Sequence, residues 1–244
     1  MKICMAGLVV QLQSRYPYVE GQCRDYRVDE ARPADIVAST TDSEIQKELS
    51  LCISATDSGS AESICLYRSV AGQLYRFDAL LMHGAVIGYG DRAYAFLAPS
   101  GTGKSTHIRL WRRALGDGVY PVNGDKPILR LENGVFTANG TPWAGKEGWQ
   151  RNISRPLAGI CLLTRGSENS IRTLTPSEAL KGLMRQIYLP KEPEGALATM
   201  ALVDELVKRV PIYLLACNME EEAAKTSFEA MTGCNFEDAK GMKV

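Results

Sequence analysis

The segment Leu97-Ala98-Pro99-Ser100-Gly101-Thr102-Gly103-Lys104-Ser105-Thr106 constrains this chain more than any other stretch. Gly101 and Gly103 permit backbone conformations that turn successive N–H groups toward an anion. A strand-like run, Tyr94–Leu97, precedes the loop, and His107–Trp111 behind it has helical character. The loop is therefore expected to feed a helix N-terminus, whose dipole adds to the attraction for phosphate. The common form of such a loop is G-x-x-x-x-G-K-[ST]. Gly103, Lys104 and Ser105 supply its end, and Ala98 stands where the first glycine would fall. Alanine leaves the loop open, although a strained φ there would cost about 1–2 kcal/mol. Lys104 brings a point charge to the β- and γ-phosphates, and the Ser105 hydroxyl can ligate magnesium. ATP with Mg²⁺ is thus the expected cofactor pair, held by Ser100, Gly101, Thr102, Gly103, Lys104, Ser105 and Thr106.

A carboxylate is expected on the next strand of such a core, and Asp125 ends the run Val119-Tyr120-Pro121-Val122-Asn123-Gly124-Asp125. It is expected either to join Ser105 in holding magnesium or to take a proton from an attacking hydroxyl. The plain alternative is an exposed Asn-Gly-Asp turn.

Composition narrows the partners. The 244 residues fit one large domain or a core with a smaller appendage, and 45% apolar residues suffice for a real core. Lysines plus arginines equal aspartates plus glutamates at 28 each. That balance argues against nucleic acid or an anionic membrane as the main partner. No segment approaches the roughly 20 apolar residues of a membrane span; the longest candidate, Ala79–Gly88, contains His83. The opening Met1–Ala6 is too short and mixed for a signal peptide and, with the residues to Val10, reads as a first strand. The seven cysteines are scattered, odd in number and never spaced as a zinc pair, which fits reduced thiols in a cytoplasmic protein.

The pattern predicts an α/β chain in three parts. Residues 1–78 read as a small strand-rich region: a strand over Ile3–Val10, a capping box at Thr41-Asp42-Ser43-Glu44 opening a helix to Leu51, a turn at Asp57–Ser60, and a strand over Ser63–Arg68. Val70, Leu74, Phe77 and Leu81 recur at helical spacing and predict a helix leading to His83. Residues 79–233 read as the core. It should hold strands at Gly84–Gly88, Arg92–Leu97, Val119–Val122, a hairpin over Pro127–Leu131 and Val135–Ala138, Leu157–Thr164 and Pro211–Ala216. Helices are expected over Gly103–Leu115, from the Thr175-Pro176-Ser177-Glu178 cap, over Ala196–Arg209, and from a cap at Asn218 and Glu221 to Met231. Residues 234–244 read as a frayed tail.

His83-Gly84, the glycine loop after it and the strand ending in Asp125 together resemble the bacterial HPr kinase/phosphorylase family, which shares its core with phosphoenolpyruvate carboxykinases. The wording Ser-Gly-Thr-Gly-Lys-Ser-Thr is similar to both groups, and the resemblance spans roughly Leu80–Ala216. It implies a phosphate-loop core with a mixed sheet flanked by helices. Asp125 would activate the acceptor hydroxyl, His83 would lie near the γ-phosphate, and Lys104 would act with them. It also implies a homo-oligomer. The chain departs from the family at Gly124-Asp125, where the family carries two adjacent aspartates, and it lacks the Glu-x-Arg-Gly signature. The nearest stretch is Trp143–Arg151, part of a segment to Arg155 whose Lys146, Arg151 and Arg155 could close on an acceptor.

The expectation is therefore a Mg-ATP-dependent kinase acting on a hydroxyl of a small molecule, a peptide or a protein serine, with HPr itself not the expected acceptor. The competing expectation is a nucleotide-binding accessory module that binds or slowly hydrolyses ATP to control a partner protein. No Leu-Ser-Gly-Gly-Gln-like signature supports a transport ATPase.

Overall fold

The computed structural model describes residues 1–51 and 57–241; Cys52 and the last three residues of the expected tail lie outside them. The chain opens with a hairpin instead of one strand. Strands β1 (Lys2–Met5) and β2 (Leu8–Leu12) pair antiparallel, because Ala6 and Gly7 adopt φ of 52° and 72° and reverse the chain. After helix α1 (Pro17–Gln22), β3 (Ile36–Ala38) joins β2 in parallel to complete a three-stranded sheet. Helix α2 (Asp42–Leu51) carries the expected capping box: the Glu44 N–H donates to Thr41 Oγ1 at 3.2 Å and the Thr41 N–H to Glu44 Oε2 at 2.8 Å.

Three further expectations for this region fail. Ser63–Arg68 is not a strand but the middle of helix α3 (Ser58–Ala71), and the predicted turn at Asp57–Ser60 is that helix's start. Asp57 and Ser60 form their own capping box, and the buried positions Gly59, Ser63, Leu66 and Val70 repeat at helical spacing. The apparent alternation around Ile64-Cys65-Leu66 is too short to compete with that stripe. The helix expected from Val70 to Leu81 also ends early. After α3 comes only a single 3₁₀ turn at Leu74–Phe77; Asp78 then takes φ of 51°, and Ala79–Leu81 extends as strand β4. Helical residues thus outnumber strand residues in what was expected to be a strand-rich region.

The rest is a nine-stranded mixed sheet flanked by helices. Its elements are β5 (Ala85–Tyr89), β6 (Arg92–Leu97), α4 (Lys104–Leu115), β7 (Val119–Asn123), β8 (Ile128–Glu132), β9 (Val135–Asn139), β10 (Ser154–Arg165), β11 (Ser170–Thr173), α5 (Pro176–Leu183), α6 (Pro193–Arg209), β12 (Ile212–Cys217), α7 (Glu221–Thr232) and α8 (Phe236–Gly241). The order runs β4-β8-β9-β10-β6-β5-β7, with β12 also on β10 and β11 on β12. Strand β10 changes partners along its length. Ser154–Pro156 pair antiparallel with β9, and Ile160–Arg165 pair parallel with β12, while β6 runs along its other edge.

Strands β6 and β7 are both antiparallel to β5, and β10 is parallel to β6. The chain therefore leaves β6 at Ala98, leaves β7 at Gly124 and leaves β10 at Gly166 from one end of the sheet, and enters β5 through His83-Gly84 at that same end. Under the glycine loop, α4 packs through Trp111 onto Phe96, Tyr94 and Phe228, with ring centroids 5.2–5.9 Å apart. Burying such a cluster is worth several kcal/mol, since truncating one buried aromatic typically costs about 3–5 kcal/mol.

Strand β11 was not expected. Residues 234–241 are not a frayed tail, because Phe236 is buried against Phe228 and starts α8. Helix α7 is preceded by Glu220, which makes no side-chain cap bond; Asn218 instead accepts the Glu220 N–H at 3.0 Å. No described helix is long and apolar enough to cross a membrane.

Candidate functional site

Gly101 and Gly103 take φ of 77° and 117°, values open to glycine but strained for other residues, and nothing crowds the space where a Cβ would stand. Ala98 is buried and is not among the positive-φ residues, so replacing the loop's first glycine carries no backbone strain. Helix α4 begins after Gly103 with no side-chain cap. Among the described residues, no acceptor meets the N–H groups of Gly103, Lys104, Ser105 or Thr106. These donors at a helix N-terminus form a ready anion site.

Lys104 folds back over the loop, its Nζ donating to the Ala98 carbonyl at 2.6 Å. Burial presses its pKa down, the charge of Asp125 works against that shift, and nearby Lys126 adds to it. The loop lysine therefore lies within electrostatic reach of both residues that follow β7. Arg165, at the end of β10, donates from Nη2 to the Gly101 carbonyl at 2.8 Å.

The Asp125 carboxylate is engaged on both oxygens. His83 Nε2 lies 3.3 Å from Oδ1, and Lys126 Nζ donates to Oδ2 at 3.0 Å. Partial burial tends to raise the Asp125 pKa, but the hydrogen bond from His83 and the charge of Lys126 outweigh it and hold it below the usual carboxylate value. The backbone is tied as firmly: the Gly84 N–H donates to the Asp125 carbonyl at 2.9 Å, and the His83 N–H to the Gln186 carbonyl at 2.6 Å. His83 is about one-third exposed and so is not a buried core residue. Asp125 is not a bare turn residue either, since its side chain is only 30% exposed.

Gly124 is tightly enclosed. A Cβ there would lie 2.7 Å from the Ala144 carbonyl oxygen, so the position accepts no side chain unless the neighbouring loop moves. The side chain that meets Asp125 comes from position 126, and it is a lysine.

The Trp143–Arg155 segment is fixed rather than open. Trp143 is buried, and its Nε1 donates to Ser63 Oγ at 3.1 Å. Trp149 lies beneath the guanidiniums of Arg109 and Arg112, and Glu147 pairs with Arg109 at 2.6 Å. A Cβ placed on Gly145 would lie 3.0 Å from the Asp125 Cβ. Arg151 and Arg155 stack on Tyr120, which pairs with Gly88, several residues along the sheet from the loop end. They do not reach the site, whereas Lys146 is exposed on the turn beside it.

The sheet thus brings Lys104, Asp125 and His83 to one end of the molecule. Sequence reasoning missed Lys126 and Arg165. Lys126 was adjacent to Asp125 in the chain, but nothing in its spacing revealed that its ammonium folds back. Among the described residues, no three His, Cys, Asp or Glu side chains converge as a metal cluster. The six described cysteines are free.

No family model matches the chain, and no curated protein matches it. Among solved structures, the HPr(Ser) kinase/phosphatase from Coxiella burnetii aligns at 16% identity with a TM-score of 0.30, covering 50% of this chain and 93% of that one.

Proposed function

We propose that the protein is a Mg-ATP-dependent phosphotransferase of the phosphate-loop type, acting on a hydroxyl acceptor. The observation that carries the reading is the shared sheet end: an uncapped helix N-terminus with a glycine loop and Lys104 faces the Asp125–His83 pair. The residues fit a magnesium-bound triphosphate. The space over Gly101 and Gly103 is open, and among the described residues no acceptor meets the N–H groups of Gly103, Lys104, Ser105 or Thr106. Ser105 stands half-buried on the first turn of α4, and Asp125 supplies a carboxylate. Bound magnesium would neutralise charge on the phosphates, and the Ser105 hydroxyl is the group on α4 that would hold it, which leaves Asp125 for the acceptor proton.

Phosphoryl transfer asks little beyond positioning and charge. Gly101 and Gly103 shape the cradle, Lys104 exchanges the Ala98 carbonyl for phosphate oxygens, and Asp125 is the group to receive the acceptor proton. His83 keeps Asp125 ionised and oriented. The deciding assay incubates the protein with Mg²⁺ and γ-labelled ATP, with and without free serine, HPr and a pool of hydroxyl metabolites and serine peptides. Label on one acceptor class supports the kinase and defines its substrate. Label released only as free phosphate supports an ATP-gated accessory module instead, a reading favoured by the engagement of both Asp125 oxygens.

A further inference from the structure

Lys126 is built into the site more firmly than a chance ion-pair partner would be. Its backbone N–H donates to Asn123 Oδ1 at 2.7 Å and to the Trp143 carbonyl at 3.1 Å, and its carbonyl accepts the Thr141 hydroxyl at 2.7 Å. Asn123 and Thr141 are fully buried, and Asn123 Nδ2 closes the network on the Thr141 carbonyl at 3.0 Å. This frame fixes the start of the Lys126 side chain. Its far end lies between two partners: Asp125 Oδ2, and the face of Tyr67, whose ring centroid is 6.0 Å from Nζ. The side chain is 18% exposed, and its charge is felt at Lys104 across the site. Asp125, which follows β7 at the loop's end of the sheet, holds this ammonium on that side of the molecule.

We propose that Lys126 is a second catalytic cation, moving from Asp125 Oδ2 onto the transferring γ-phosphoryl group. This rests on the kinase reading above. A bond forms between the acceptor oxygen and the γ-phosphorus while the bond from that phosphorus to the β,γ-bridging oxygen breaks. The bridging oxygen keeps the electron pair and leaves on ADP, and the acceptor proton passes to Asp125. Departure of the ammonium frees the Asp125 oxygen that it occupied, so the same movement neutralises the phosphoryl group and readies the proton acceptor. Lys126 thereby adds positive charge at the transferring group beside that of Lys104.

The test compares wild type, Lys126→Met and Lys126→Arg in two measurements. In calorimetric titration with Mg-ATP and Mg-ADP, Lys126→Met should weaken ATP binding about tenfold and leave ADP binding unchanged, because only ATP carries the γ-phosphate. In phosphoryl transfer, Lys126→Met should lower the plateau kcat by about 10²–10³ across pH, and Lys126→Arg should restore part of it. A residue that merely partnered Asp125 would shift the acidic limb of the pH profile and leave both the plateau and the ATP-to-ADP affinity ratio intact; that result overturns the inference alone. A wild-type protein that transfers phosphate to no acceptor overturns the kinase reading and the inference with it. Should Lys126→Met melt below the assay temperature, Lys126→Gln carries the same two measurements.

Discussion

Lys104 donates to the carbonyl of Ala98, and among the described residues no acceptor meets the N–H groups of Gly103, Lys104, Ser105 or Thr106. Lys104→Ala should abolish ATP turnover; full turnover by that variant in a coupled ADP assay would remove the phosphate-loop assignment. Asp125→Asn keeps the shape of the side chain but cannot take a proton. It should bind nucleotide as the wild type does while transfer falls by about 10²-fold or more, which calorimetry and the labelled-ATP assay would separate. At Gly124 the limit is steric. Gly124→Ala should destabilise the protein by about 1–3 kcal/mol, because the new methyl drives the Ala144 carbonyl aside. Urea titration measures the loss, and an unchanged midpoint would mean the Ala144 loop yields freely.

At the scale of elements, the clearest local chemistry predicted the structure best. Thr175 accepts the Glu178 N–H while Glu178 reaches back to the Thr175 N–H at 3.0 Å, and Pro176 opens α5 as the spacing predicted. Thr175→Ala should therefore cost about 1 kcal/mol, read from the shift in the denaturation midpoint. Asn133 and Gly134 likewise form the expected hairpin turn between β8 and β9, with φ of 51° and 81°. The errors cluster where tertiary contact outweighed local pattern. Ala79–Leu81 carries a helix-compatible apolar spacing but pairs with β8, a partner nearly 50 residues on that no local window contains. Phe236 looked like part of a polar tail because the aromatic cluster that buries it is assembled from β6, α4 and α7. For the candidate site, residue types and their order pointed to Lys104, Asp125 and His83, which the strand directions place at one end of the sheet. The direction of the Lys126 and Arg165 side chains depends on the sheet register and was invisible.

For the whole molecule, stability should depend on acid through one buried group. His107 on α4 shares Ser227 Oγ with Trp111, at 2.9 and 2.8 Å. Ser227 donates to the α7 backbone, so it accepts from His107 Nε2–H, and the buried Nδ1 is left without a partner. Burial holds the His107 pKa at about 4, below its ordinary 6.5. The unfolded chain therefore binds a proton that the folded one refuses. Stability from this source is complete above about pH 6.5 and is lost as pH falls toward 4, by about 3 kcal/mol in all. Asp125, also depressed, is lost in the same direction but only below the usual carboxylate range. Denaturant titrations at pH 7.5, 5.5 and 4.5 should show the decline, and His107→Leu should flatten it over that window. The partner change in β10 has a different consequence, for the chain as it is made. Strand β6, which launches the glycine loop, has β10 on one edge, and β10 is some 60 residues further along. On the ribosome the loop must therefore be held by a half-built sheet until that strand emerges. Those seconds of synthesis are when the nascent chain most needs a chaperone, and when its unpaired β6 edge is most open to misassembly.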